Sequence, residues 1–121
     1  MRSPECDDVI EFIVEGSPPA YDPGYSIFNP EHPHYFRVKK LRDQARNAMK
    51  GRGPLEGDVL LEIEHEVSGG WCRADSVNII GGIANALEGI VYWNDSQIKE
   101  VHYKQILSTR NLYRIRIRSL F

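Results

Sequence analysis

Hydrophobic positions change period several times along the chain, and each change marks an element. Residues 9–16 (VIEFIVEG) set Val9, Phe12 and Val14 among Glu11 and Glu15 and run into Ser-Pro-Pro, which predicts a strand and then a loop. Residues 17–33 contain five prolines, so many backbone donors are missing and a long irregular loop is expected. From 35 to 50, Phe36, Val38, Leu41, Ala45 and Met49 recur at near-helical spacing, with Lys39, Lys40, Arg42 and Arg46 expected outward on a basic amphipathic helix. Gly51-Arg52-Gly53-Pro54 breaks that pattern. Residues 58–66 then alternate Val59, Leu61, Ile63 and His65 with Glu62, Glu64 and Glu66, as in a strand with one acidic face.

A second helix is predicted over 76–87, with Val77, Ile80, Ile83, Ala84 and Leu87 on one side and Asp75 placed to cap its start. Gly81 and Gly82 weaken it by about 1 kcal/mol each relative to Ala, unless something packs close to them. A short strand over 90–93 is expected to return the chain toward the start of that helix. Residues 98–107 and 112–118 read as a hairpin, the latter alternating Tyr113, Ile115 and Ile117 with Arg114, Arg116 and Arg118. Mixed but not regularly alternating strands and helices indicate an α+β fold, a mixed sheet with two main helices packed on it.

Length and balance fit one domain spanning 1–121, since 121 residues with 41% hydrophobic and 26% charged side chains suffice for a single core. Residues 1–8 are expected to be a loose N-terminus and 17–34 a Pro-rich loop. No apolar run approaches a membrane span, and the acidic opening MRSPECDDVI is unlike a signal or transit peptide, so a cytoplasmic protein with no membrane partner is expected. Cys6 and Cys72 are far apart and form no C-x-x-C pattern, which indicates reduced thiols rather than a disulfide framework or a zinc site.

The net charge of −2 conceals an asymmetry: residues 1–34 carry seven acids against Arg2 alone, leaving the remainder at +4. Basic side chains concentrate at 37–52 and 110–118, where a polyanion could dock, although on charge alone solubility and edge protection are the more usual reason for such charges. Nucleotide-binding, metalloprotease and serine-hydrolase motifs are absent, which removes the usual support for those classes and for a small-molecule cofactor. His32 and His34 flank Pro33 as metal-ligand candidates or plain loop residues. Asp75 at the mouth of the second helix and Asp95 in the turn after it could share one Mg²⁺, or be a helix cap and a turn residue respectively.

The stretch 73–104, RADSVNIIGGIANALEGIVYWNDSQIKEVHYK, resembles the RusA family of Holliday-junction resolvases. Its signature joins an Asp-x-Asp-Asn-x-x-Lys helix start to an Ala-Leu-x-Gly turn and an Asp-Asp-x-Gln segment. Asp75 matches the first acid, Asn78 the asparagine, Ala86-Leu87 and Gly89 the turn, Asp95 and Gln97 the last element, and Lys104 a lysine of the following strand. The motif covers about a quarter of the chain. Val77 stands where the family has a second aspartate, Gly81 where it has a lysine, and Asn85 and Asn94 where aspartates are usual.

The resemblance implies a structure-selective endodeoxyribonuclease of DNA recombination and repair, resolving branched DNA by paired phosphodiester hydrolysis as a symmetric homodimer. It further implies Mg²⁺, or Mn²⁺ in its place, on Asp75 and Asp95, with Lys104 offsetting charge in the transition state. Arg37, Lys39, Lys40, Arg46, Arg73, Asn78, Arg114 and Arg116 would then contact DNA. The four departures leave open a degenerate relative that binds branched DNA or a protein without cleaving it.

Overall fold

The computed structural model describes residues 9–26, 28–69 and 75–120. Residues 1–8, with Cys6, and 70–74, with Cys72 and Arg73, lie outside the described residues. In chain order the elements are β1 (Val9–Glu15), α1 (Tyr35–Met49), β2 (Val59–Val67), α2 (Ser76–Ala86), a single 3₁₀ turn (Asp95–Gln97), β3 (Ile98–Leu107) and β4 (Leu112–Ser119). One mixed sheet has the order β1-β4-β2-β3, which gives the small α+β fold that the patterning predicts. No helix among the described residues is long and apolar enough to cross a membrane.

The expected hairpin does not form. β3 pairs parallel with β2, and β4 enters between β1 and β2, antiparallel to both. Burial explains the choice: Tyr113, Ile115 and Ile117 of β4 are fully covered, whereas β3 is polar on both faces and suits an edge. The expected strand at 90–93 is also absent. That segment forms only isolated bridges, Tyr92 with Leu55 and with Glu88, while the buried Tyr92 hydroxyl donates to the Ala84 carbonyl at 2.6 Å.

Because β1, β2 and β3 run the same way, both helices return antiparallel to them and pack together on one face of the sheet. The upper edge therefore gathers the C-terminal ends of these strands and the N-termini of both helices; the lower edge gathers the opposite ends. The core lies between, built from Leu41 and Ala45 of α1, Ile79 and Ile83 of α2, and the inward residues of the sheet.

Two apolar faces are rotated from expectation. Val38, Leu41, Ala45 and Met49 of α1 are buried as predicted, but Phe36 is 79% exposed because it lies two residues, some 200°, from Val38 on the helix wheel. In α2 the buried set is Ile79, Gly82, Ile83, Ala84 and Ala86, leaving Val77 77% exposed. Gly82 selects that face. A Cβ there would meet the Pro19 carbonyl oxygen at 2.6 Å and the Ala20 Cα at 2.8 Å, so the Pro-rich loop lies directly on the helix backbone.

Adjacent glycines should respond oppositely to the same substitution. Gly82→Ala is expected to destabilise by about 2–3 kcal/mol, since loop backbone must move. At Gly81 a Cβ would meet only the Tyr21 Cβ, at 3.5 Å, so Gly81→Ala should be neutral or stabilise by up to about 1 kcal/mol. Urea unfolding of the two variants beside the wild type reads both.

Candidate active site and nucleic-acid interface

Asp75 caps α2 at the upper edge, as predicted. Its backbone is extended and its carboxylate accepts from the Asn78 backbone N–H at 2.9 Å and from the Asn78 side-chain amide at 3.4 Å. Asn78 therefore serves the helix start, and its carbonyl accepts from the Tyr21 N–H of the Pro-rich loop.

Asp95 belongs to the lower edge. Its backbone N–H donates to the Glu88 carboxylate at 2.8 Å, just beyond the C-terminus of α2. Asn94 and Gln97 form a reciprocal capping box around it. The Gln97 oxygen accepts from Trp93 and Asn94 N–H groups, and its amide donates to the carbonyls of Leu55 and Gly57, fixing this turn to the strand start. Gln97, which matches the family signature, is thus an architectural residue.

All of α2 separates the two aspartates, and its 11 residues span about 16 Å. One Mg²⁺ binds oxygen ligands at about 2.1 Å, so Asp75 and Asp95 of a single chain do not fit one ion. The error in the expectation is directional: a helix that starts at the upper edge delivers the next segment to the lower edge, and no strand at 90–93 brings the chain back. Among the described residues no group of three or more His, Cys, Asp and Glu side chains is placed to hold a metal. Lys104 stands apart from both aspartates. It lies beside Glu64 in the β2–β3 register, on the sheet face turned away from the helices.

That outer face explains the alternating arginines of β4. Arg114 reaches Glu64 at 3.6 Å and Glu66 at 3.3 Å, and Arg116 lies 3.8 Å from Glu62. Glu66 is the anchor: it is buried, accepts from the Ser108 hydroxyl, and also pairs with Arg110 at 2.9 Å. The Ser108 hydrogen bond, followed by the arginines, holds its carboxyl below the usual range despite the opposing effect of burial. Arg114 and Arg116 are thereby committed within the fold rather than free for DNA. On α1, Lys39 and Arg46 both pair with Asp43. Arg37 and Lys40 have no carboxylate partner among the described residues.

Arg42 does not point outward. Its guanidinium donates to the Ala86 carbonyl at 2.7 Å and the Glu88 carbonyl at 3.1 Å, closing the C-terminus of α2, and it stacks on Phe28. Its place four residues after Val38 and three before Ala45, on the flank of the apolar stripe, is the sequence signal for this role. The two loop histidines are likewise structural: His34 Nδ1 accepts from the Ala20 N–H and His32 Nδ1 from the His34 N–H. The chain matches no protein-family model and no curated protein.

Arg42→Ala is expected to cost about 1–2 kcal/mol in urea unfolding, below the range for fully buried charged hydrogen bonds because the guanidinium is partly solvated. Arg42→Lys should recover only part of this: both bonds leave one guanidinium nitrogen, which a shorter ammonium can replace only in part, and the planar group stacked on Phe28 is lost. A depressed carboxyl pKa stabilises the fold above the unfolded value of 4.5 and loses that effect as pH falls through the folded value. The stability gap between wild type and Glu66→Gln should therefore be widest near neutrality and close as pH drops below 4.5, as read by denaturant midpoints across pH.

Proposed function

We propose that the protein is a RusA-like endodeoxyribonuclease that nicks branched DNA only as a homodimer, with each active site shared between two copies. The observation that carries this is the placement of Asp75 and Asp95 at opposite ends of α2. Helical spacing sets Val77, Gly81 and Asn85 along one face between them, with Val77 exposed and the half-exposed Tyr21 of the Pro-rich loop lying against Gly81 as part of the same surface. If two α2 helices pair antiparallel about a two-fold axis through this stripe, Asp75 of each copy meets Asp95 of the partner subunit. Two such sites per dimer match the paired nicks that a four-way junction requires.

In this arrangement Asp75 is oriented by Asn78, and Asp95 by the Asn94–Gln97 box, before any substrate arrives. Bound Mg²⁺ would supply Lewis-acid and water-activating chemistry for phosphodiester hydrolysis. Arg37 and Lys40 are the proposed phosphate contacts, being the two described cations among the sequence candidates that have no acidic partner. Lys104 is left out of the site.

A second reading, a binder that does not cleave, is favoured by the uncharged character of Val77, Gly81 and Asn85. Those are three positions where the resemblance calls for charge, and they share one face of the helix.

The test is nicking and gel retardation of a synthetic four-way junction with Mg²⁺. Asp75→Asn and Asp95→Asn should each abolish nicking alone. Mixed and re-equilibrated, they should regain about a quarter of the wild-type rate, because half of randomly formed dimers are hybrids with one intact site. Active wild type with no recovery on mixing refutes the shared site. Tight junction binding without nicking under any divalent metal establishes the second reading, and the absence of any salt-dependent junction binding refutes both.

A further inference from the structure

Above the end of β1 lies a depression of about 210 Å³ lined by Gly16, Ser17, Phe36, Arg37, Lys40 and Tyr113. Three features of it point to a ligand. Tyr113 is wholly buried on β4, yet its hydroxyl has no hydrogen-bond partner among the described residues, and a buried O–H is ordinarily paired. The first turn of the 15-residue α1 contains no acid and His34 gives it no side-chain cap, so the positive end of the helix is uncapped, with the loop acid Asp22 acting on His34 nearby. Arg37 and Lys40 add two charges. The Arg37 guanidinium acts on the Tyr113 phenol, opposing the upward pull of burial on its pKa, and its hydrogen bonds among the described residues go to the Pro18 carbonyl at 3.4 Å and His34 Nε2 at 3.3 Å. The Lys40 ammonium stands 3.9 Å from where a Gly16 side chain would begin. Glu15 also lines the depression and forms no ion pair with either cation.

Positive charge, an uncapped helix terminus and a spare buried hydroxyl together suit one phosphate group. Beside them the Phe36 ring stands in solvent, 79% exposed. An aromatic face next to a phosphate site is the combination that holds a nucleotide of a single strand, whose base is free to stack. We propose that this depression is a one-nucleotide subsite for an unpaired DNA strand, with the phosphodiester on Arg37, Lys40 and the Tyr113 hydroxyl and the adjacent base on Phe36. This rests on the DNA-binding reading above, though not on cleavage.

The experiment is fluorescence anisotropy of a short labelled oligothymidylate at low salt, with inorganic phosphate as competitor and junction retardation in parallel. Phe36→Ala removes an exposed ring and Tyr113→Phe removes one oxygen. Each should weaken oligothymidylate binding about fivefold or more, with Tyr113→Phe melting at or above the wild-type temperature because an unpaired buried hydroxyl is gone. Arg46→Ala, which breaks a pair with Asp43 elsewhere on α1, should change affinity far less. Should Tyr113→Phe prove unstable, Phe36→Ala alone decides. Wild-type affinity in Phe36→Ala, or displacement of the oligonucleotide by equimolar inorganic phosphate, overturns the subsite and leaves at most a phosphate site. Junction binding that neither variant weakens defeats this inference alone. Oligothymidylate binding with these sensitivities, but no junction binding or nicking, defeats the resolvase reading alone.

Discussion

Everything at the upper edge depends on the backbone of Pro19 and Ala20 lying directly against Gly82. No side chain can stand between the loop and α2 at that point, so the loop is held at backbone distance from the helix. Its polar groups then find fixed partners. The Tyr21 N–H reaches the Asn78 carbonyl on α2, the Ala20 N–H reaches His34 before α1, and Arg37 reaches back to the Pro18 carbonyl. A proline-rich segment that supplies few donors of its own thereby ties together the beginnings of both helices. The relative placement of Asp75 and Arg37, one on each helix start, depends on this one contact.

Much of the fold was legible because periodicity reports which residues share a face. Element bounds came within a residue or two, the Asp75 cap was readable from its place before an apolar run, and the warning attached to Gly82 proved to be its function. Neighbour relations were not legible, because alternation along 112–118 is equally consistent with pairing to β3 or to β1 and β2. The polarity of 98–107 on both faces was the clue that β3 is an edge strand. Phe36 and Arg42 lie opposite to what their chemistry suggests for a related reason: angular position on the helix turns the aromatic ring to solvent and the guanidinium toward α2.

The candidate site was less legible than the fold. Asp75 and Asp95 were joined through a supposed returning strand, but an 11-residue helix carries the chain the full height of the domain. Arg114 and Arg116 looked like a basic stripe because sequence alone does not reveal that Glu62, Glu64 and Glu66 lie alongside them in register. Across that face the sheet pairs Arg114 and Arg116 with its own acids, so of the described cations expected at DNA, Arg37 and Lys40 are the two without an acidic partner. The charge asymmetry of the chain thus overstates the basic surface that the fold presents.

The position of β4 also governs the order in which the molecule is made. β1 is translated first of the strands, yet β4, translated last, is its neighbour in the sheet, joining residues as distant as Val9 and Arg118. Until β4 emerges from the ribosome, β1 has no strand beside it and one edge of β2 stays open. The nascent chain therefore carries unsatisfied sheet edges until residues 112–119 are made, the kind of surface that chaperones cover. Sheet completion is a single late event that couples both ends of the chain, so the domain is expected to fold slowly for its size and without a stable N-terminal half.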